Sequence, residues 1–159
     1  MWNEDYRDML CALNAEAVEY ILVGAYALAA HGFPRATLDM DVWVRPSPAN
    51  ADRAFKALSR FGAPMANLSA ADFAKEDAVV QIGVAPRRVD IITSVSGLTF
   101  EESRRSALLR EIEGLTVPIL ALPDLIRNKL ASGRPKDLED AKLLQKHLRQ
   151  SAGSTGPTL

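Results

Sequence analysis

The sequence lacks the features of secreted, membrane-spanning and strongly basic proteins. Its 159 residues contain one cysteine, Cys11, so no intrachain disulfide can form and a reducing compartment fits. No apolar run approaches the ~20 residues of a membrane span, and the first residues do not resemble a secretion signal. The formal net charge of -1 provides no overall positive field for nucleic acid or anionic lipid. We therefore expect a cytoplasmic protein that does not bind membranes.

Motifs of several enzyme classes are also absent. The chain has no serine nucleophile motif, no CxxC pair and no Walker-type phosphate loop, so hydrolase, redox and P-loop classes lack support. Its two histidines, His31 and His147, do not indicate a zinc site.

The chain does contain enough apolar material, 48% of its residues, for one compact core. We predict a single domain over residues 1–150 and a disordered tail over 151–159, where a Ser- and Gly-rich composition cannot bury apolar surface. Amphipathic helical segments alternate with short strand patterns. The predicted fold is α/β (α+β), a small mixed β-sheet flanked by helices, with strands at 20–23, 38–45, 78–84, 88–93, 108–113 and 115–120.

Three aspartates within the predicted strands are candidate metal ligands. Asp39 and Asp41 are two residues apart on a strand, so they share one face at a separation of about 6.5 to 7 Å. Two carboxylates this close repel each other unless a cation lies between them, and Mg²⁺ (or Mn²⁺) prefers such oxygen ligands. Asp90 interrupts an apolar strand and reaches the same face if the two strands pair, where it could serve as general base. The alternative is a solvated strand face.

A glycine turn precedes these acids. Gly24 separates the strand at 20–23 from a helical segment, so the backbone amides of Ala25 and Tyr26 would face an anionic phosphate at the helix start. Strand-glycine-helix junctions are common, and a simple turn is the alternative interpretation.

Together these segments resemble a known family. The order Leu22-Val23-Gly24-Ala25, Arg35-Ala36-Thr37-Leu38-Asp39-Met40-Asp41 and Val89-Asp90-Ile91 is similar to the nucleotidyltransferase superfamily that includes DNA polymerase beta. Within it, the chain most resembles small bacterial AbiEii-type nucleotidyltransferases, several of which act in toxin–antitoxin and phage-defence systems. The resemblance implies a phosphate-binding glycine turn, two metal-binding aspartates and a third aspartate that activates the acceptor hydroxyl. Ala25 departs from the family pattern, because many members have serine there.

Basic residues near the C-terminus extend the resemblance. Lys129 falls on the apolar stripe of a predicted helix at 123–132, and either extends outward to solvent or reaches the site to neutralise triphosphate charge. Related chains carry a lysine followed by a Lys-Asp pair, matched here by Lys129, Lys136 and Asp137. We interpret Asp137 and Asp140 as helix-start residues. Arg35 could contact a phosphate, although a single arginine in a turn is more often solvated.

The predicted activity is Mg²⁺-dependent transfer of a nucleoside monophosphate from a nucleoside triphosphate to a hydroxyl of a tRNA, a protein or a small molecule. A cognate toxin or antitoxin is the expected protein partner. The alternative from a different class, motivated by Ala25, is a catalytically silent member that acts as a binding module or antitoxin-like partner. The set of expected substrate-binding residues is Gly24, Ala25, Arg35, Thr37, Lys129 and Lys136.

Overall fold

Six strands form one mixed sheet in a computed structural model of the chain, which describes residues 3–153. The strands are β1 (Tyr20–Val23), β2 (Asp39–Val44), β3 (Val79–Ile82), β4 (Arg88–Ile92), β5 (Leu108–Ile112) and β6 (Leu115–Ile119). Their order across the sheet is β3-β4-β2-β1-β6-β5. The neighbouring strands β2 and β4 run parallel to each other, whereas β1 pairs antiparallel with β2 and parallel with β6. The predicted fold class is confirmed.

Six α-helices flank this sheet within residues 3–153, and a short 3-10 helix covers Ala70–Phe73. The helices are α1 (Glu4–Ala15), α2 (Gly24–Ala30), α3 (Pro48–Phe61), α4 (Phe100–Ser106), α5 (Leu122–Ser132) and α6 (Pro135–Gly153). Local signals set several of their ends. At α3, the Ser47 side chain accepts a hydrogen bond from the backbone N–H of Asn50, and Pro48 occupies the first turn. Gly62 ends the helix in the left-handed conformation.

The C-terminal helix is longer than predicted. α6 ends at Gly153, so residues 151–153, which we assigned to the tail, continue the helix. The remainder of the predicted tail, 154–159, lies outside the described residues. No helix within residues 3–153 has the length and apolar character needed to cross a membrane.

The burial pattern of β2 explains why acids can occupy a central strand. Met40, Val42 and Val44 are fully buried on one face, as the alternation predicts. On the other face Trp43 is also buried, under Phe100 of α4 at a ring-centroid distance of 5.3 Å. Only the first half of that face, which carries the aspartates, stays partly open. The sheet thus confines its polar residues to one end.

Candidate active site

The structure brings the three predicted aspartates together. The parallel register of β2 and β4 places Asp41 opposite Asp90 and Asp39 opposite Arg88. Paired residues on neighbouring strands point to the same face, so the carboxylates converge. One oxygen from each of Asp39, Asp41 and Asp90 lies within 4.8 Å of the other two. Oxygen ligands at this spacing suit a hard divalent cation, so the acidic cluster fits a metal ion.

Burial and neighbouring negative charges both disfavour ionisation of the Asp41 carboxyl. Burial raises the pKa of Asp41 to about 6, and the negative charges of Asp39 and Asp90 add to the shift. Within residues 3–153 its carboxylate accepts no hydrogen bond and forms no ion pair. Asp41 therefore has both oxygens available to a cation.

Gly24 is the residue that makes room for this carboxylate. It adopts a left-handed conformation with φ of +67°, and a Cβ added there would lie 2.2 Å from Oδ2 of Asp41. Any side chain at this position would displace the carboxylate. The glycine turn and the acidic cluster thus form one unit, in which the backbone approaches Asp41 directly.

Thr37 holds the neighbouring aspartate. Its Oγ1 donates a hydrogen bond of 2.8 Å to Oδ1 of Asp39 and lies 3.0 Å from the Asp39 carbonyl oxygen. The threonine thereby fixes the carboxylate at the start of β2. Thr37 orients an acid rather than lining the adjacent cavity.

Arg88 is a site residue that the sequence analysis missed. Its Nη2 donates to Oδ2 of Asp39 at 2.7 Å, and its Nε donates to Oδ1 of Asp90 at 2.9 Å. A longer contact of 3.3 Å joins Nη2 to Oδ2 of Asp90. Burial is the main cause that raises the pKa of Asp90, and these bonds from Arg88 oppose the shift. The signal was available, because Arg88 is two residues from Asp90 on the same strand face.

A cavity of about 580 Å³ opens beside the acidic cluster. This volume is within the range of small-molecule sites, about 300 to 1,000 Å³. Its walls come from the glycine turn, the start of β2, and the helices α5 and α6. The polar and glycine residues that line it are Gly24, Asp39, Asp41, Asn128, Lys129, Arg134, Lys136, Asp137 and Asp140, with Ala25, Leu28 and Leu125 as the apolar part.

The residues that α5 and α6 contribute to the cavity lining form an ion-pair network, and we call this part of the lining the far wall. Asp140 is buried and accepts two hydrogen bonds from Arg35, at 2.6 and 3.0 Å, and one from Lys129 at 3.0 Å. Asp137 accepts from Lys129 at 3.3 Å and from Arg134 at 2.8 Å. Hydrogen bonds from Arg35 lower the pKa of Asp140. Both aspartates therefore anchor cations, a role that our interpretation as helix-start residues did not include.

Six of the residues predicted for the site line the cavity: Gly24, Ala25, Asp39, Asp41, Lys129 and Lys136. Arg35, Thr37 and Asp90 do not line the cavity. Arg35 and Thr37 each form a hydrogen bond to an aspartate that lines it, and Asp90 belongs to the acidic cluster. Lys129 reaches the site instead of extending outward to solvent, since its side chain is only 13% exposed. His31 contacts the Leu120 carbonyl oxygen at 2.8 Å, away from the acids.

A family comparison agrees with this geometry. Residues 5–150 match the family described as "Nucleotidyltransferase of unknown function (DUF6036)". The chain belongs to this family. No protein of curated function matches the sequence. Among solved structures, the DUF6036 chain is similar to a protein from Thermotoga maritima described as a candidate nucleotidyltransferase, with 16% identity and a TM-score of 0.55. The match covers 94% of this chain and 96% of the other, and at that identity it shows a shared fold.

Proposed function

We propose that this DUF6036 protein is a metal-dependent nucleotidyltransferase that transfers a nucleoside monophosphate from a triphosphate to a hydroxyl group. The observation that supports this most is the convergence of Asp39, Asp41 and Asp90 beside a glycine turn and a cavity with a cationic far wall. Asp39 and Asp41 would hold Mg²⁺ (or Mn²⁺), and Asp90, whose two oxygens accept hydrogen bonds from Arg88, would act as the general base.

The reaction follows from these positions. The bound ion supplies neutralisation of charge on the phosphate oxygens. An acceptor hydroxyl oriented by Asp90 attacks the α-phosphorus, and an oxygen–phosphorus bond forms as the bond from the α-phosphorus to the bridging oxygen breaks. Pyrophosphate leaves, and the hydroxyl proton passes to the Asp90 carboxylate. The products are the nucleotidylated acceptor and pyrophosphate.

The far wall of the cavity supplies the positive charge that a triphosphate requires. Lys129 is held in place by Asp137 and Asp140, so its ammonium has a fixed position beside the cavity. Lys136 is exposed and Arg134 has a side chain 79% exposed, which leaves both able to move toward a phosphate. The turn at Gly24 and Ala25 would contribute backbone amides on the acidic side.

A labelling experiment tests the activity. Purified protein is incubated with each α-³²P-labelled nucleoside triphosphate, Mg²⁺ and a cell extract, and labelled RNA, protein and small molecules are separated. We expect one acceptor class to be labelled by the native chain and by Asp52→Asn, an exposed control. Asp39→Asn and Asp41→Asn should abolish the label. Equal labelling by Asp41→Asn would refute the assignment.

Ala25 favours a second candidate function. It lines the cavity at the glycine turn and has no hydroxyl to bind a phosphate. The chain would then be a silent nucleotidyltransferase fold that binds a partner protein, such as a cognate toxin or antitoxin, in the cytoplasm. Calorimetry with Mg²⁺ and each triphosphate separates the two, because an active site requires metal-linked nucleotide binding. Ala25→Ser should strengthen that binding if the lost hydroxyl matters.

A further inference from the structure

Arg88 occupies one edge of the acidic cluster. Its guanidinium spans the gap between Asp39 and Asp90, and its three hydrogen bonds use Oδ2 of Asp39 and both oxygens of Asp90. Charge-assisted bonds from a planar guanidinium to carboxylates are among the strongest in proteins. A cation that bridges Asp39 and Asp90 would have to displace this side chain.

The opposite edge of the cluster remains open. Asp41 accepts no hydrogen bond within residues 3–153, and Oδ1 of Asp39 accepts only one, from Thr37. Both aspartates line the cavity, whereas Asp90 and Arg88 do not. An ion that enters from the cavity therefore meets Asp41 and Asp39 first.

The charge balance leads to the same conclusion. Three ionised carboxylates carry a charge of -3, and the Arg88 guanidinium in direct contact with two of them leaves a net charge of about -2. One divalent cation neutralises this remainder. The two ions of a two-metal site lie ~3.5 to 4 Å apart. A second divalent cation here would therefore add uncompensated positive charge close to both the first ion and Arg88.

We propose that Arg88 takes the place of a second metal ion, so that the protein binds a single divalent cation between Asp39 and Asp41. The inference rests on the proposed metal-dependent function and adds the number of ions and the residue that sets it. Arg88 is a positioning residue here, since it acts through Asp39 and Asp90.

Mn²⁺ binding to the full chain tests this. With MnCl₂ alone, calorimetry and the electron paramagnetic resonance (EPR) signal of free Mn²⁺ should give one ion per native chain. Arg88→Gln should bind two ions, and the bound pair should show a spin-coupled EPR spectrum. The matched control is Arg87→Gln. It removes the same charge one residue away, where the side chain is 55% exposed and pairs with Asp5 at 3.4 Å, and it should bind one ion.

Arg88→Lys guards against a folding defect in the glutamine variant. It keeps the charge, but an ammonium lacks the planar fork that engages two carboxylates, so a second, weaker ion should bind. Two ions on the native chain would overturn the inference, and so would a single ion on both folded Arg88 variants. Either result leaves the proposed transfer activity standing if labelling succeeds. Absence of Mn²⁺ binding in native and variant chains would instead refute the metal site itself.

Discussion

Replacing Gly24 with alanine should displace the Asp41 carboxylate from the acidic cluster while leaving the fold in place. The added Cβ would lie 2.2 Å from Oδ2 of Asp41, and real Cβ atoms essentially never approach under 3.0 Å. The carboxylate must therefore withdraw by about 1 Å, a displacement that in an active site costs on the order of 100-fold in rate. The left-handed backbone adds about 1 to 2 kcal/mol of destabilisation.

Gly62→Ala is the matched control for this change. Gly62 also has a left-handed φ, +96°, but a Cβ there meets nothing within 4 Å. Both variants should lose similar stability in urea unfolding, about 1 to 2 kcal/mol. Only Gly24→Ala should weaken Mn²⁺ binding in calorimetry, by about tenfold or more, and reduce nucleotide transfer. If both glycine variants bind Mn²⁺ like the native chain, the close approach of Gly24 to Asp41 has no functional role.

Three further substitutions have expected outcomes. Burial and the charges of Asp39 and Asp90 raise the pKa of Asp41 to about 6, so protonation of this carboxyl stabilises the folded state. That stabilisation is complete below pH ~4 and is lost as the pH rises through 6. Asp41→Asn should thus increase the free energy of unfolding at pH 7 by about 1 to 2 kcal/mol, but not at pH 4, in metal-free urea titrations. Asp140→Asn removes a buried partner of two cations and should cost about 3 to 5 kcal/mol, against about 0.5 or less for the exposed Asp52→Asn. Lys136→Gln should weaken triphosphate binding in calorimetry without changing Mn²⁺ binding, whereas the exposed Lys142→Gln should change neither.

Local patterns in the sequence were enough to predict the strands that carry the acids. The alternation around Asp39 and Asp41 reflects a strand with one buried face, and this pattern is independent of the rest of the chain. The match of Tyr20–Val23 between prediction and structure has the same origin, since the segment is short, apolar and closed by Gly24. The prediction that Asp90 lies near Asp39 and Asp41 required one assumption, that its strand pairs with β2. The observed register confirms this pairing.

Contacts that depend on tertiary packing were not predictable in this way. Arg35 and Asp140 are 105 positions apart, and nothing local to either residue indicates that α6 will cross the end of the turn before β2. Asp140 was therefore interpreted from its helix position alone. Arg88 was overlooked for another reason: a charged residue at the first position of a predicted strand is usually solvated, and only the register with Asp39 reveals its role.

The charged residues that line the cavity, counted with those in direct contact with them, match the charge distribution of a metal–triphosphate complex. On the sheet side, three aspartates with Arg88 leave about -2, which favours a divalent cation. On the helix side, four cations (Arg35, Lys129, Arg134 and Lys136) outweigh two carboxylates (Asp137 and Asp140) by two charges, which favours phosphate oxygens. A substrate with its metal toward β2 and its phosphates toward α6 would neutralise both walls. A free metal ion or a free polyanion would neutralise one only, so binding of ion and nucleotide should be mutually strengthening.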